Sequence, residues 1–144
     1  IKLVMEFFFF KHEVKFVFRQ KAERIAWLTK VLKKEQRKLG TLNFIFTNDE
    51  NILQINKDFL SHDYYTDIIT FPMEIPGIPD GGEIYISIDR VAENAEQMGV
   101  SFNDELDRVL VHGVLHLCGY KDKTKAQEKE MRAIEEKYLL IRKH

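Results

Sequence analysis

Apolar residues recur along the chain with two periods, and the period sets which element each stretch forms. From Glu13 to Phe18 the spacing is two: Val14, Phe16 and Phe18 fall on one side, Lys15 and Val17 on the other, which predicts a strand. The apolar run from Ile1 to Phe10, with Phe7, Phe8, Phe9 and Phe10 in succession, is read as a further strand that pairs with it. From Lys21 the period becomes helical: Ile25, Leu28, Val31, Leu32 and Leu39 share a face, and Gly40 is the expected stop. Thr41 to Thr47 returns to strand character. Asn48 before Asp49 and Glu50 is an N-cap for a short helix carrying Ile52, Leu53 and Ile55.

Two β-branched runs follow, Asp67 to Phe71 and Glu83 to Ile88, expected to be sheet partners. The loop between them holds Pro72, Pro76, Pro79, Gly81 and Gly82. Asp89 to Met98 predicts a helix ended by Gly99, and Ser101 with Asp104 resembles a capping box for a helix from Phe102 to Cys118, ended by Gly119. Thr124 with Gln127 makes a second capping box, ahead of a last helix with Met131, Ile134, Tyr138 and Leu139 on its apolar face. Four or so strands interleaved with about five helices predict a single α+β domain over residues 1–144, a small mixed β-sheet covered by helices.

Composition agrees with one self-contained core: 144 residues, 44% of them apolar and eleven of them Phe. The net charge of -1 conceals 22 basic and 23 acidic side chains, so attraction for phosphate must come from local clusters. One cysteine, Cys118, leaves no intramolecular disulfide and suits a reducing cytoplasm. Glu6 interrupts the N-terminal apolar run, no small-residue cleavage site follows it, and no stretch approaches the ~20 apolar residues of a membrane span. The expectation is a soluble, cytoplasmic protein without membrane contact.

The segment with chemistry is His112-Gly-Val-Leu-His116-Leu-Cys-Gly119-Tyr-Lys-Asp122. Histidines four apart project from one face of a helix, the spacing at which two imidazoles reach one ion. Gly119 lets the chain reverse so that Asp122 returns as a third ligand. Three protein ligands leave a tetrahedral ion one position for water, which zinc acidifies to a pKa near ~7. Zinc is the first choice, although two histidines and a carboxylate also describe a non-haem Fe(II) triad. Cys118 points about 200° around the helix from His116, so it is assigned to the core rather than to the ion.

The same segment resembles the motif H-G-x-L-H-L-x-G-Y-D-H of the YbeY family, bacterial ribosomal-RNA maturation factors described as single-strand-specific, metal-dependent endoribonucleases. Thr66-Asp-Ile-Ile-Thr-Phe71-Pro72, Gly82-Glu83-Ile84 and Glu105-Leu106 through Val111 extend the likeness over most of the chain from Asn56 to about Met131. Two positions depart from it: Asp122 stands where the usual third histidine would be, and Leu60, after Phe59, stands where many members carry arginine. The first keeps a metal ligand; the second removes a cation that would hold a phosphate. His62, where the family often has lysine, is a candidate replacement for that charge. Asp67 and Glu83 are read as strand-end residues that cap turns or orient a ligand imidazole, and Glu83 is also a candidate catalytic group.

The resemblance implies a single-stranded RNA substrate, ribosomal RNA in particular, with ribosomal proteins as further partners. His62, Tyr120, Lys121 and Lys123 are the candidate RNA contacts, on a groove flanked by Phe59–Thr66, Asp67–Phe71 and Tyr120–Lys125. Lys30, Lys33, Lys34, Arg37 and Lys38 are read as the solvated face of the first helix. Two rival readings stand beside this one. The ligand spacing also resembles that of zincin-like metalloproteases, but the general-base glutamate of such enzymes is here Gly113. The other rival is a non-enzymatic ribosome-assembly factor with a residual metal site.

Overall fold

A computed structural model describes residues 5–144, so positions 1–4 of the expected N-terminal strand lie outside the described residues. The elements in order are β1 (Glu6–Lys11), α1 (Lys21–Lys34), β2 (Thr41–Thr47), α2 (Asp49–Leu60), β3 (Ile68–Met73), β4 (Gly81–Ser87), α3 (Ile88–Met98), α4 (Phe102–Leu117) and α5 (Lys125–Leu139). The sheet order is β1-β2-β4-β3. β1, β2 and β4 run parallel, and β3 closes one edge antiparallel to β4. This is the mixed sheet with five helices that the sequence pattern predicts.

Alternation along the strands divides the sheet into two faces. Leu42, Phe44 and Phe46 of β2 and Ile84 and Ile86 of β4 are buried in one core with Trp27, Leu28 and Val31 of α1 and Leu106, Leu110 and Val114 of α4. The opposite face carries α2, whose Ile52 is fully buried. Side-chain oxygens of Asn48, Ser87, Ser101 and Thr124 cap the helices that follow them. Thr124 and Gln127 form the full reciprocal capping box.

The Phe run is a strand, but its partner is β2, in register from Glu6 with Thr41 to Lys11 with Phe46. Glu13 to Phe18 is not a strand. Glu13 turns the chain with φ 53°, and the segment beyond it has no ladder partner among the described residues. Its alternation is nevertheless real, because Phe16 and Phe18 pack on the rings of Phe46 and Phe9. The first helix stops at Lys34, earlier than Leu39, because Gln36 takes φ 56°. Gly40 is instead needed for a close approach: a Cβ there would lie 2.9 Å from the carbonyl oxygen of Pro79. Pro72, assigned to a loop by sequence, pairs with Gly82 inside β3. An edge strand tolerates the missing N–H.

Candidate metal centre

α4 lies against β3 and β4 because it presents Gly113 to them. A Cβ on Gly113 would come within 3.0 Å of Ile68 Cδ1 and Ile84 Cγ2, so a larger residue there displaces these isoleucine side chains or the helix. His112 and His116 flank that contact and open toward the β3 edge, where both line a groove. Past Leu117 the helix ends in a Schellman turn: Tyr120 N–H donates to the Leu115 carbonyl, Gly119 N–H donates to that of His116, and Gly119 has φ 104°. Arg37, beyond the end of α1 rather than on its solvated face, donates to the carbonyls of Leu117 and Cys118 and so meets the negative end of α4.

The reversal returns Asp122 to the histidines. Its Oδ2 is 3.3 Å from His112 Nε2 and 3.4 Å from His116 Nε2, and the three donor atoms lie within 4.8 Å of one another. The far nitrogens are already engaged. His112 Nδ1 is hydrogen-bonded to the Glu135 carboxylate, and His116 Nδ1 lies 3.0 Å from the carbonyl of Tyr120. Neither acceptor can donate, so Nδ1 carries the proton on each ring and the Nε2 lone pairs converge on Asp122. The cluster is compatible with a metal ion: two imidazole nitrogens and one carboxylate oxygen with a fourth direction open to the groove suit a divalent ion. The side chains are 15%, 27% and 38% exposed for His112, His116 and Asp122, sheltered yet reachable.

Glu135 is the principal residue that sequence reasoning missed. It is buried on α5 and, besides His112, takes Arg108, which also pairs with buried Glu105. The signal was present: Glu135 sits between Met131 and Tyr138 at four and three residues on the buried stripe of α5, and a carboxylate within an apolar stripe needs a partner. The orienting role expected of Asp67 and Glu83 therefore belongs to Glu135 and the Tyr120 carbonyl. Asp67 does line the groove, 4.0 Å from Arg108.

The groove holds about 580 Å³ and is lined by Leu60, His62, Tyr64 and Thr66 on one wall, Asp67 to Thr70 on another, and His112, His116, Asp122 and Lys123 at its floor and rim. His62 and Lys123 therefore face it. Three candidates do not. Glu83 pairs with Phe71, one residue out of step with Ile84 and its neighbour Gly113, so its side chain leaves the opposite face of the sheet and cannot act at the histidines. Tyr120 packs on the core and donates its hydroxyl to Glu35 at 2.6 Å. That bond, with burial, pushes its pKa up to about 12. Lys121 is exposed, but only its second neighbour Lys123 reaches the groove. Cys118 packs against the core outside the donor cluster, and burial pushes its thiol up to about 11.

No helix among the described residues is long and apolar enough to cross a membrane. A family model described as Endoribonuclease YbeY matches residues 9–141. A protein of Cytophaga hutchinsonii named Endoribonuclease YbeY is 52% identical over 137 residues, 94% of this chain and 95% of that one. One of Flavobacterium psychrophilum with the same name is 45% identical, covering 92% and 94%. A solution structure of a protein from Thermotoga maritima superposes with a TM-score of 0.63 at 28% identity, covering 92% of this chain and 86% of the other. A match of this extent, on a chain whose two histidines, glycine turn and returning carboxylate meet at one point, assigns the protein to the YbeY family.

Proposed function

We propose that this protein is a metal-dependent endoribonuclease of the cytoplasm that cleaves single-stranded ribosomal RNA during ribosome maturation, with zinc as its ion. The observation that carries this reading is the convergence of His112 Nε2, His116 Nε2 and Asp122 Oδ2 at the floor of an open groove. His112, His116 and Asp122 would hold a divalent ion there, which would supply Lewis-acid chemistry for a phosphate oxygen or a water. The protein's own groups do the rest. Glu135 and the Tyr120 carbonyl fix the two ring tautomers. Lys123 and, when protonated, His62 supply charge for the backbone at the groove edge. Tyr64 stacks on His62 at 5.1 Å between ring centroids, and this exposed flat pair offers a face to an unpaired base, which duplex RNA cannot present.

Leu60 lines the groove without charge, and Arg108 beside it is already occupied by Glu105 and Glu135. Phosphate binding therefore depends on His62 and Lys123 together with the ion. A peptidase reading is disfavoured by more than the missing glutamate, since position 113 faces Ile68 and Ile84 of the sheet rather than the groove. Ribosomal proteins remain natural neighbours of an enzyme whose substrate is ribosomal RNA.

The test is cleavage of matched single-stranded and duplex ribosomal RNA fragments by zinc-loaded protein and by its His116→Ala variant. The expected result is cleavage of the single strand alone, abolished in the variant. Equal cleavage by the variant would remove the metal centre from the reaction.

A further inference from the structure

An enzyme that cuts within a strand gains by holding it on both sides of the scissile phosphate, and the groove at β3 is not alone in reaching the donor cluster. A second trough of about 440 Å³ begins at the same place, sharing Arg108, His112 and Asp122 with the first, and continues along α5. Its outer wall carries Lys125, Lys129 and Arg132. At 100° per residue these three positions fall within about 60° of arc, one face of the helix. All three are exposed, and Arg132 reaches a carboxylate, Glu135, only at 3.9 Å.

Of the acids in the trough, Asp122 belongs to the metal centre and Glu135 is bound to His112 and Arg108. Among the described residues, that leaves Glu128 as the one acid lining the trough with no part in those contacts, against the three cations of its α5 wall. The α1 lysines Lys30, Lys33 and Lys34 are just as exposed but line neither cavity, so the α5 set is distinguished by its continuity with the donor cluster.

We propose that the RNA strand leaves the metal centre over α5, and that Lys125, Lys129 and Arg132 bind its backbone phosphates there. The inference rests on the endoribonuclease reading and adds to it a second binding arm. Contacts of this kind are indifferent to base sequence and sensitive to salt, each phosphate on a single strand contributing a slope of about -0.7 in log K against log salt. A strand long enough to fill both arms binds more tightly than one that fills the groove alone.

The test is fluorescence anisotropy with labelled single-stranded RNA of non-cleavable 2′-O-methyl phosphorothioate backbone on the zinc-loaded full chain. It compares wild type, Lys125→Glu/Lys129→Glu, and the control Lys33→Glu/Lys34→Glu, with folding checked by circular dichroism. The α5 variant is expected to bind about tenfold or more weakly, with a salt slope shallower by about 1.4, and to lose the advantage of the longer strand. The control is expected to match wild type. Lys125→Gln/Lys129→Gln should fall between, since it removes charge without reversing it. Equal affinity and slope in wild type and the α5 variant would overturn the second arm and leave the nuclease reading intact. Absence of RNA binding by wild type would overturn the nuclease reading itself.

Discussion

The second nitrogens of His112 and His116 decide what the pair can bind. Each Nδ1 faces an acceptor, Glu135 for one and the Tyr120 carbonyl for the other, so both rings are held as the tautomer that presents Nε2 to the groove. The Glu135 carboxylate, buried on α5, also fixes the orientation of the His112 ring. Glu135→Gln, which keeps the volume and removes the carboxylate, is therefore expected to weaken zinc affinity by about 10–100-fold in competition with a chromogenic chelator. Unchanged affinity would show that Glu135 serves packing alone. The three donors were legible in the sequence because they lie within eleven residues and their spacing is that of one helix and one turn. Glu135 was not, because its contact with His112 spans 23 residues and arises only when α5 docks on α4. Glu83 entered through the likeness of Gly82-Glu83-Ile84 and its strand-end position, and strand alternation directs it to the face of the sheet away from the histidines.

At the scale of elements, α4 reaches its depth through glycines. Gly113 meets Ile68 and Ile84, and a Cβ on Gly82 would lie 2.8 Å from Leu117 Cδ2. Gly113→Ala inserts a methyl group into an occupied space and is expected to cost about 1–3 kcal/mol, read as a lowered urea midpoint at constant m-value. To the extent that α4 rather than the isoleucines gives way, metal affinity falls with it. An alanine variant as stable as wild type would contradict the close-packing account. Helices and their caps were legible because capping and periodicity are local. The segment from Glu13 to Phe18 was misread because alternation reports burial on one side, not a hydrogen-bonded partner. Phe16 and Phe18 obtain that burial from the core directly, while the Phe run takes the place beside β2. Pro72 was misread as loop because nothing local announces that β3 is an edge.

For the whole molecule, a net charge of -1 leaves function to local arrangement, and the same holds for stability. Asp107 on α4 and Arg24 on α1 are each 1% exposed and 2.8 Å apart, and Arg142 and His144 close over the same carboxylate. This cluster fastens α1 and the C-terminal segment to the helix that carries the histidines. Removing the carboxylate with Asp107→Ala strands a buried guanidinium and is expected to cost about 3–5 kcal/mol in urea unfolding. A loss below about 1 kcal/mol would mean that water already reaches Arg24. The fold thus brings α4, the turn after Gly119 and α5 together at a single point, and a divalent ion at that point is what the account stands on. The most direct measurement is anomalous diffraction from crystals of the zinc-loaded protein. The account predicts one ion at ~2.0–2.2 Å from Nε2 of His112, Nε2 of His116 and a carboxylate oxygen of Asp122, with no fourth protein ligand. An ion bound elsewhere, or one closed off by a fourth side chain such as Cys118, would contradict it.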